Sequence, residues 1–439
     1  MTDPTGNPAS ASSVEPAPTR LWNRRFIGLV VTQFAGATND NVLKAALLVA
    51  FASGGRWSSI LGDEGTGIVN LMLTVPFVLL LGWAGQLSDR LSKSAMIIAT
   101  RIAEVPIGLL VFAGFVFDSP WLVLVAFLLL SSESAMFGPA KYGCLPEIVP
   151  ASRVNEANGL VNMTTNIAIL LGIVLGGVLL GVSPEAVGGG VVGLACLGLG
   201  SSLLMRGLRP VNPGLHRRLN PFGPYLDAIR TIRPGLVWNA TLAWSWFYAA
   251  AIVVLAIVPQ YRGPLGLDET WSGILLASVG VGIGLGCLIA GRLSGPRIRG
   301  RFTVGGGLVI GGIFWVLGML PPDALGFWTL WTLLAIAGAG AGFFLIPLQS
   351  IQQLCSPPGD RARVVGTANA MSFALMSLAS AVYTLVIGVG GVSPFRAMSA
   401  CGVLLFGIVG WIALGGGRVI LDARVPGGGR DPDLFSPPV

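Results

Sequence analysis

Twelve stretches of about 20 apolar residues, joined by short polar connections, leave this chain few ways to fold. Such a stretch crosses roughly 30 Å of hydrocarbon as a helix, where every backbone N–H and C=O must find its partner within the segment. The stretches lie near 26–52, 66–85, 94–117, 120–140, 155–182 and 187–206, then 236–260, 270–291, 303–320, 325–346, 364–388 and 397–415. Only 11% of the 439 residues are charged, against about 25% in a soluble domain. The expected fold is therefore an all-α polytopic membrane protein of twelve transmembrane helices.

The polar segment 207–235 is the longest internal connection and divides the spans into two sets of six. The expected organisation is a flexible tail over 1–25, a six-helix bundle over 26–206, a linker over 207–235, a second bundle over 236–415 and a tail over 416–439. The halves echo one another. Gly85-Gln86-Leu87-Ser88-Asp89-Arg90 after span 2 matches Gly291-Arg292-Leu293-Ser294-Gly295 after span 8, and Ala157-Asn158 in span 5 matches Ala368-Asn369 in span 11. Two six-span repeats around a central loop suit a secondary transporter that rocks about a midplane site. Of 27 Lys and Arg, all but Arg56, Arg262, Arg396 and the intramembrane Lys44 fall on or near the side of the N-terminus. The positive-inside rule then puts both termini in the cytoplasm.

The net charge of +7 does not signal nucleic acid, because the basic residues sit in short loops as topology signals do. Five scattered cysteines and the lone His216, read as plain loop surface, supply neither a disulfide framework nor a metal site. No HxxxxD pair or GxSxG elbow is present, so neither an enzyme nor a cofactor is expected.

Polar residues inside spans mark function by default, since each charge costs roughly 2.5–3.5 kcal/mol to insert. In span 1 the apolar run is broken by Asn39-Asp40-Asn41 and Lys44. All other charges within spans also belong to the first half: Arg101, Glu104 and Glu133, with Lys141 at an end. Span 5 carries Asn155, Asn158, Asn162 and Asn166 on one face, suited either to a ligand or to neighbouring helices.

Gly85-x-x-x-Asp89-Arg90-x-x-Lys93 resembles the signature loop of the major facilitator superfamily. There the acid caps a neighbouring helix and the bases bridge at the cytoplasmic face, so Gly85, Asp89, Arg90 and Lys93 are gating candidates. Two further stretches, Gln33-Phe34-x-Gly36-Ala37-x-Asn39-Asp40-Asn41 and Phe137-Gly138-Pro139-Ala140-Lys141-Tyr142-Gly143-x-Leu145-Pro146-Glu147, resemble the LplT-type lysophospholipid transporters of that superfamily. Asn155-Glu156-Ala157-Asn158-Gly159-Leu160 is similar too. The resemblance runs through all twelve spans. It implies transport of lysophospholipid from the outer to the inner leaflet of a bacterial cytoplasmic membrane, with an acyltransferase or acyl-ACP synthetase as partner, by a monomer set in membrane lipid.

A lysophosphatidylethanolamine head is a zwitterion with one tail, and charge confined to one half fits a head held there and a tail against the other. Asp40 is the candidate for the ammonium and Lys141 for the phosphate; Asn41, Lys44, Glu133, Asn158 and Asn162 complete the expected binding set. A structural ion pair of Asp40 with Lys44 or Lys141 remains the plainer alternative. A proton-coupled exporter of amphipathic drugs, using Asp40, Glu104 and Glu133, is the competing function.

Overall fold

A computed structural model of the protein describes residues 19–52, 54–61, 64–215 and 220–424. Of the tails expected over 1–25 and 416–439, residues 1–18 and 425–439 lie outside the described residues, as does His216. Each expected span is a long helix: α1 (Arg24–Phe51), α2 (Glu64–Arg90), α3 (Lys93–Val116), α4 (Pro120–Ile148), α5 (Val154–Val182), α6 (Pro184–Ser202), α7 (Leu236–Ile257), α8 (Glu269–Ser294), α9 (Gly300–Met319), α10 (Phe327–Leu354), α11 (Arg361–Gly388) and α12 (Pro394–Leu414). Eleven helices among the described residues are apolar enough by hydropathy to cross a membrane. The twelfth, α1, falls short because Asn39-Asp40-Asn41 and Lys44 interrupt it.

Helix ends depart from the hydropathy pattern in two instructive places. α4 continues past Lys141 to Ile148, through Pro139 and Pro146, and α10 runs through Pro347 to Leu354. Packed neighbours allow proline inside membrane helices, so apolarity ends before the helix does. Local chemistry fixes the start of α1. Asn23 caps it by accepting from the N–H groups of Arg25 and Phe26, and its amide donates to the carbonyl of Ile148 at 2.7 Å.

Packing repeats with a shift of six helices. α1 lies on α5 and α6 as α7 lies on α11 and α12; α4 lies on α2 and α3 as α10 lies on α8 and α9. Two extensive contacts cross between the bundles, α5 with α8 and α2 with α11, each the image of the other. The linker forms a further helix, Gly223–Ile232, which packs on α11, α2 and α7.

Candidate functional site

Hydrogen bonds joining the two bundles gather at the end of the molecule that carries the linker. The carboxylate of Asp89, on the last turn of α2, accepts the backbone N–H groups of Ala362 and Arg363 at 3.0 and 2.8 Å. These are orphan donors of the first turn of α11, where the helix dipole favours an anion by up to about 2 kcal/mol in partly buried settings. Gly85 makes the approach possible, since a methyl there would lie 2.5 Å from the Arg363 Cα. Lys93 is fully buried, 2.6 Å from Glu147 and 3.7 Å from Asp89, a pairing that a desolvated ammonium requires. Arg363 also pairs with Asp360 at 2.6 Å. Arg90 has no ion pair among the described residues. The sequence reading missed Glu147 and Arg363; Glu147 stood at the end of the span 4 motif.

The second seam is held without charge. The Asn155 amide donates to the carbonyls of Gly295 and Arg297 at 3.0 and 3.1 Å. Asn158 and Gln353 exchange amide hydrogen bonds of 2.8 and 3.1 Å, and Asn162 donates to Gln349 at 2.7 Å. Asn158 and Asn162, expected at the substrate, are thus committed to α10. A helical face of amides finds its most complete partners in a facing helix with glutamines four residues apart.

Above these contacts lies a cavity of about 330 Å3. The first bundle lines it with Asp40, Asn41, Arg101, Ser134, Phe137, Lys141 and Tyr142; the second adds Asn369 and Phe373. Asp40 accepts a hydrogen bond from the Ser134 hydroxyl at 2.6 Å. Lys141 Nζ stands 4.3 Å from the centre of the Tyr142 ring. Among the described residues no ion pair joins Asp40 to Lys141 or to Lys44, so the plainer alternative is not what the side chains do. Lys44 is not among the lining residues, one turn further along α1. Phe77 and Phe373 meet across the bundles with ring centres 4.7 Å apart.

Glu133 serves a different purpose from the one expected. It lies behind the cavity wall, 2.6 Å from Arg101, whose guanidinium also pairs with Glu104. Asn39 donates to Glu104 at 2.7 Å, and Arg101 covers the Phe137 ring at 4.5 Å. Gly36 leaves the opening that the guanidinium fills. This cluster knits α1, α3 and α4 with ionic contacts inside the bundle. Arg101 and Glu104 stand three residues apart on one helix, as an intrahelical pair does; nothing local in the sequence points to Glu133.

A cavity that holds an acid and a base without an ion pair between them, beside the rings of Phe77, Phe137, Tyr142 and Phe373, can seat an amphiphile with a dipolar head. Comparison with known proteins agrees. The family model described as Major Facilitator Superfamily matches residues 26–381. The Lysophospholipid transporter LplT of Cronobacter sakazakii is 30% identical over 362 residues, 80% of this chain and 84% of that protein. Its namesake from Pectobacterium carotovorum is 27% identical, covering 87% and 90%. In three dimensions the chain resembles the Escherichia coli fucose:proton symporter FucP, with a TM-score of 0.69 at 15% identity over 89% of this chain and 98% of that one. The human organic anion transporter MFSD10 gives 0.70 at 14% identity, over 88% and 99%. These two share the fold alone. The chain belongs to the major facilitator superfamily, in its LplT-type group, and is a multi-pass membrane transporter rather than an enzyme.

Proposed function

We propose that the protein carries lysophospholipids of the lysophosphatidylethanolamine type from the outer to the inner leaflet of a bacterial cytoplasmic membrane. The observation that carries this reading is the pairing of Asp40 and Lys141 in one cavity without an ion pair between them. Asp40 receives the ammonium, with Ser134 steadying its carboxylate; Lys141 receives the phosphate; the aromatic wall of Phe77 and Phe373 accepts the start of the tail. The names of the LplT relatives point the same way.

Transport proceeds by alternating access between the halves 26–206 and 236–415, with the linker and both termini cytoplasmic. The latches shut the linker end. Asp89 with Lys93 and Gly85 then forms one gate and the amide ladder of α5 and α10 the other. The delivered lipid still lacks an acyl chain, so an acyltransferase or acyl-ACP synthetase partner completes the task, and a monomer suffices to carry it.

Reconstitution with labelled lysophosphatidylethanolamine tests the reading: leaflet exchange well above that of empty vesicles is expected, and exchange equal to theirs ends it. A second reading, proton-coupled export of amphipathic drugs, draws on the two acids Glu104 and Glu133 around the single base Arg101. Drug transport that collapses with the proton gradient, without lysolipid transport, would replace the first reading with the second.

A further inference from the structure

The linker helix is packed onto the molecule along one face. Its face of Pro224, Ala228 and Ile232 is buried, and Tyr225 lies against α2. The Tyr225 ring is 2.7 Å from where a methyl on Gly82 would be, and its hydroxyl donates to the carbonyl of Val78 at 2.7 Å. The apolar stretch of α2 ends near residue 85, so Gly82 and Val78 lie roughly 5 and 11 Å inside it, at 1.5 Å per residue. Half the hydrocarbon thickness is about 15 Å. The Tyr225 ring therefore reaches into the linker-side half of the hydrocarbon, and the helix that carries it lies along the α2–α11 seam.

Its outer face fits that setting. Phe222 and Leu226 are each 54% exposed, an apolar pair turned away from the protein, and Arg230 one turn further on the same face is exposed too, the pattern of a helix at the membrane edge. Arg233, just past the helix, stacks on Trp238 at 5.0 Å, in the first turn of α7. Asp227 lies 3.8 Å from the guanidinium of Arg363, so one residue ties both the linker helix and the Asp89 latch to α11. Leu81, next to Gly82, lines the cavity, which leaves a single helix between the cavity and the linker helix. Both seams are in direct helix contact, a methyl on Gly366 of α11 lying 2.5 Å from the Leu81 carbonyl as one on Gly159 of α5 would lie 2.5 Å from that of Cys287; the α2–α11 seam alone is flanked by the linker helix.

We propose that the linker helix is the movable bolt of a lateral port between α2 and α11. When the latch opens, the helix leaves the seam and the acyl chain of the departing lipid takes its place, so the tail passes directly into the linker-side leaflet. The proposal rests on the lipid-transport reading above. Hydrogen–deuterium exchange on the whole protein in nanodiscs tests it, with transport measured in parallel. Saturating lysophosphatidylethanolamine raises exchange over 223–232 at least fivefold. Gly82→Ala, whose methyl displaces Tyr225, raises it without substrate; Tyr225→Phe, which keeps the ring and loses one hydrogen bond, does so to a smaller extent. Transport at the full rate with unchanged protection over 223–232 overturns the bolt and leaves the lipid reading standing. No transport by the wild type overturns the lipid reading, and the port with it.

Discussion

Asp89 and Arg363 meet through the backbone: the carboxylate of the first accepts the main-chain N–H of the second at 2.8 Å. The side chain of Arg363 is left to reach Asp360 and Asp227. The latch on this seam is therefore a charge set on a helix end, and its strength depends on the charge more than on the identity of residue 363.

Asp89→Asn keeps an acceptor but loses the charge. The linker-closed state is expected to weaken by about 1–2 kcal/mol, near a tenfold shift toward opening. Alkylation of an Asn369→Cys variant from the linker side measures it. Unchanged alkylation would show that the carboxylate is a passive cap.

Gly85→Ala places a methyl 2.5 Å from the Arg363 Cα. Backbone cannot yield as a side chain can, so the seam is held apart and transport falls at least tenfold. Gly177→Ala, with nothing within 4 Å of the added methyl, serves as the control and keeps its rate within about a factor of two.

Arg101→Ala leaves Glu104 and Glu133 buried against one another. A loss of about 3–5 kcal/mol is expected, read as a lower melting temperature. Adding Glu133→Gln to that variant recovers part of the loss, because it removes one of the two uncompensated charges. A melting temperature indifferent to both changes argues against an ionic core in this bundle.

Asp40→Asn preserves shape and the contact with Ser134, so the melting temperature stays put while lysolipid transport drops at least tenfold. Lys141→Gln acts alike, and Lys141→Arg retains part of the rate. Near-normal transport by Asp40→Asn removes the acid from the binding site.

Outside the membrane, Asp118 takes hydrogen bonds from Arg56 and Trp57 at 2.7 and 2.8 Å, which hold its carboxyl below the usual carboxylate range. The folded form binds this proton more weakly than the unfolded chain does. Its contribution to stability is thus complete above about pH 4 and lost as pH falls through the lowered value. The Asp118→Asn variant melts at a lower temperature than wild type at pH 7, and the difference closes on acidification.

Span number and the doubled architecture were legible in the chain, because membrane burial writes itself into hydropathy, and Asp40 and Lys141 stood out because charge costs too much to place idly. What sequence could not supply was facing. The stripe of Asn158 and Asn162 reads equally well toward a ligand or toward Gln349 and Gln353, and only the crossing of α5 with α10 decides. Glu133 looked like a cavity acid until Arg101, 32 positions earlier in the chain, proved to be its partner. The linker helix hid within a polar segment, since ten residues with an apolar stripe weigh little in a 20-residue window.

The volume of the cavity has one more consequence. At about 330 Å3 it stands at the small end of pockets for compact ligands, room for a head and the first carbons of a tail. On the lysolipid reading proposed above, the remaining carbons lie beyond these walls, so a carrier built this way inspects the label and ignores the length of the string: sharp selectivity among head groups and little dependence on acyl-chain length are expected.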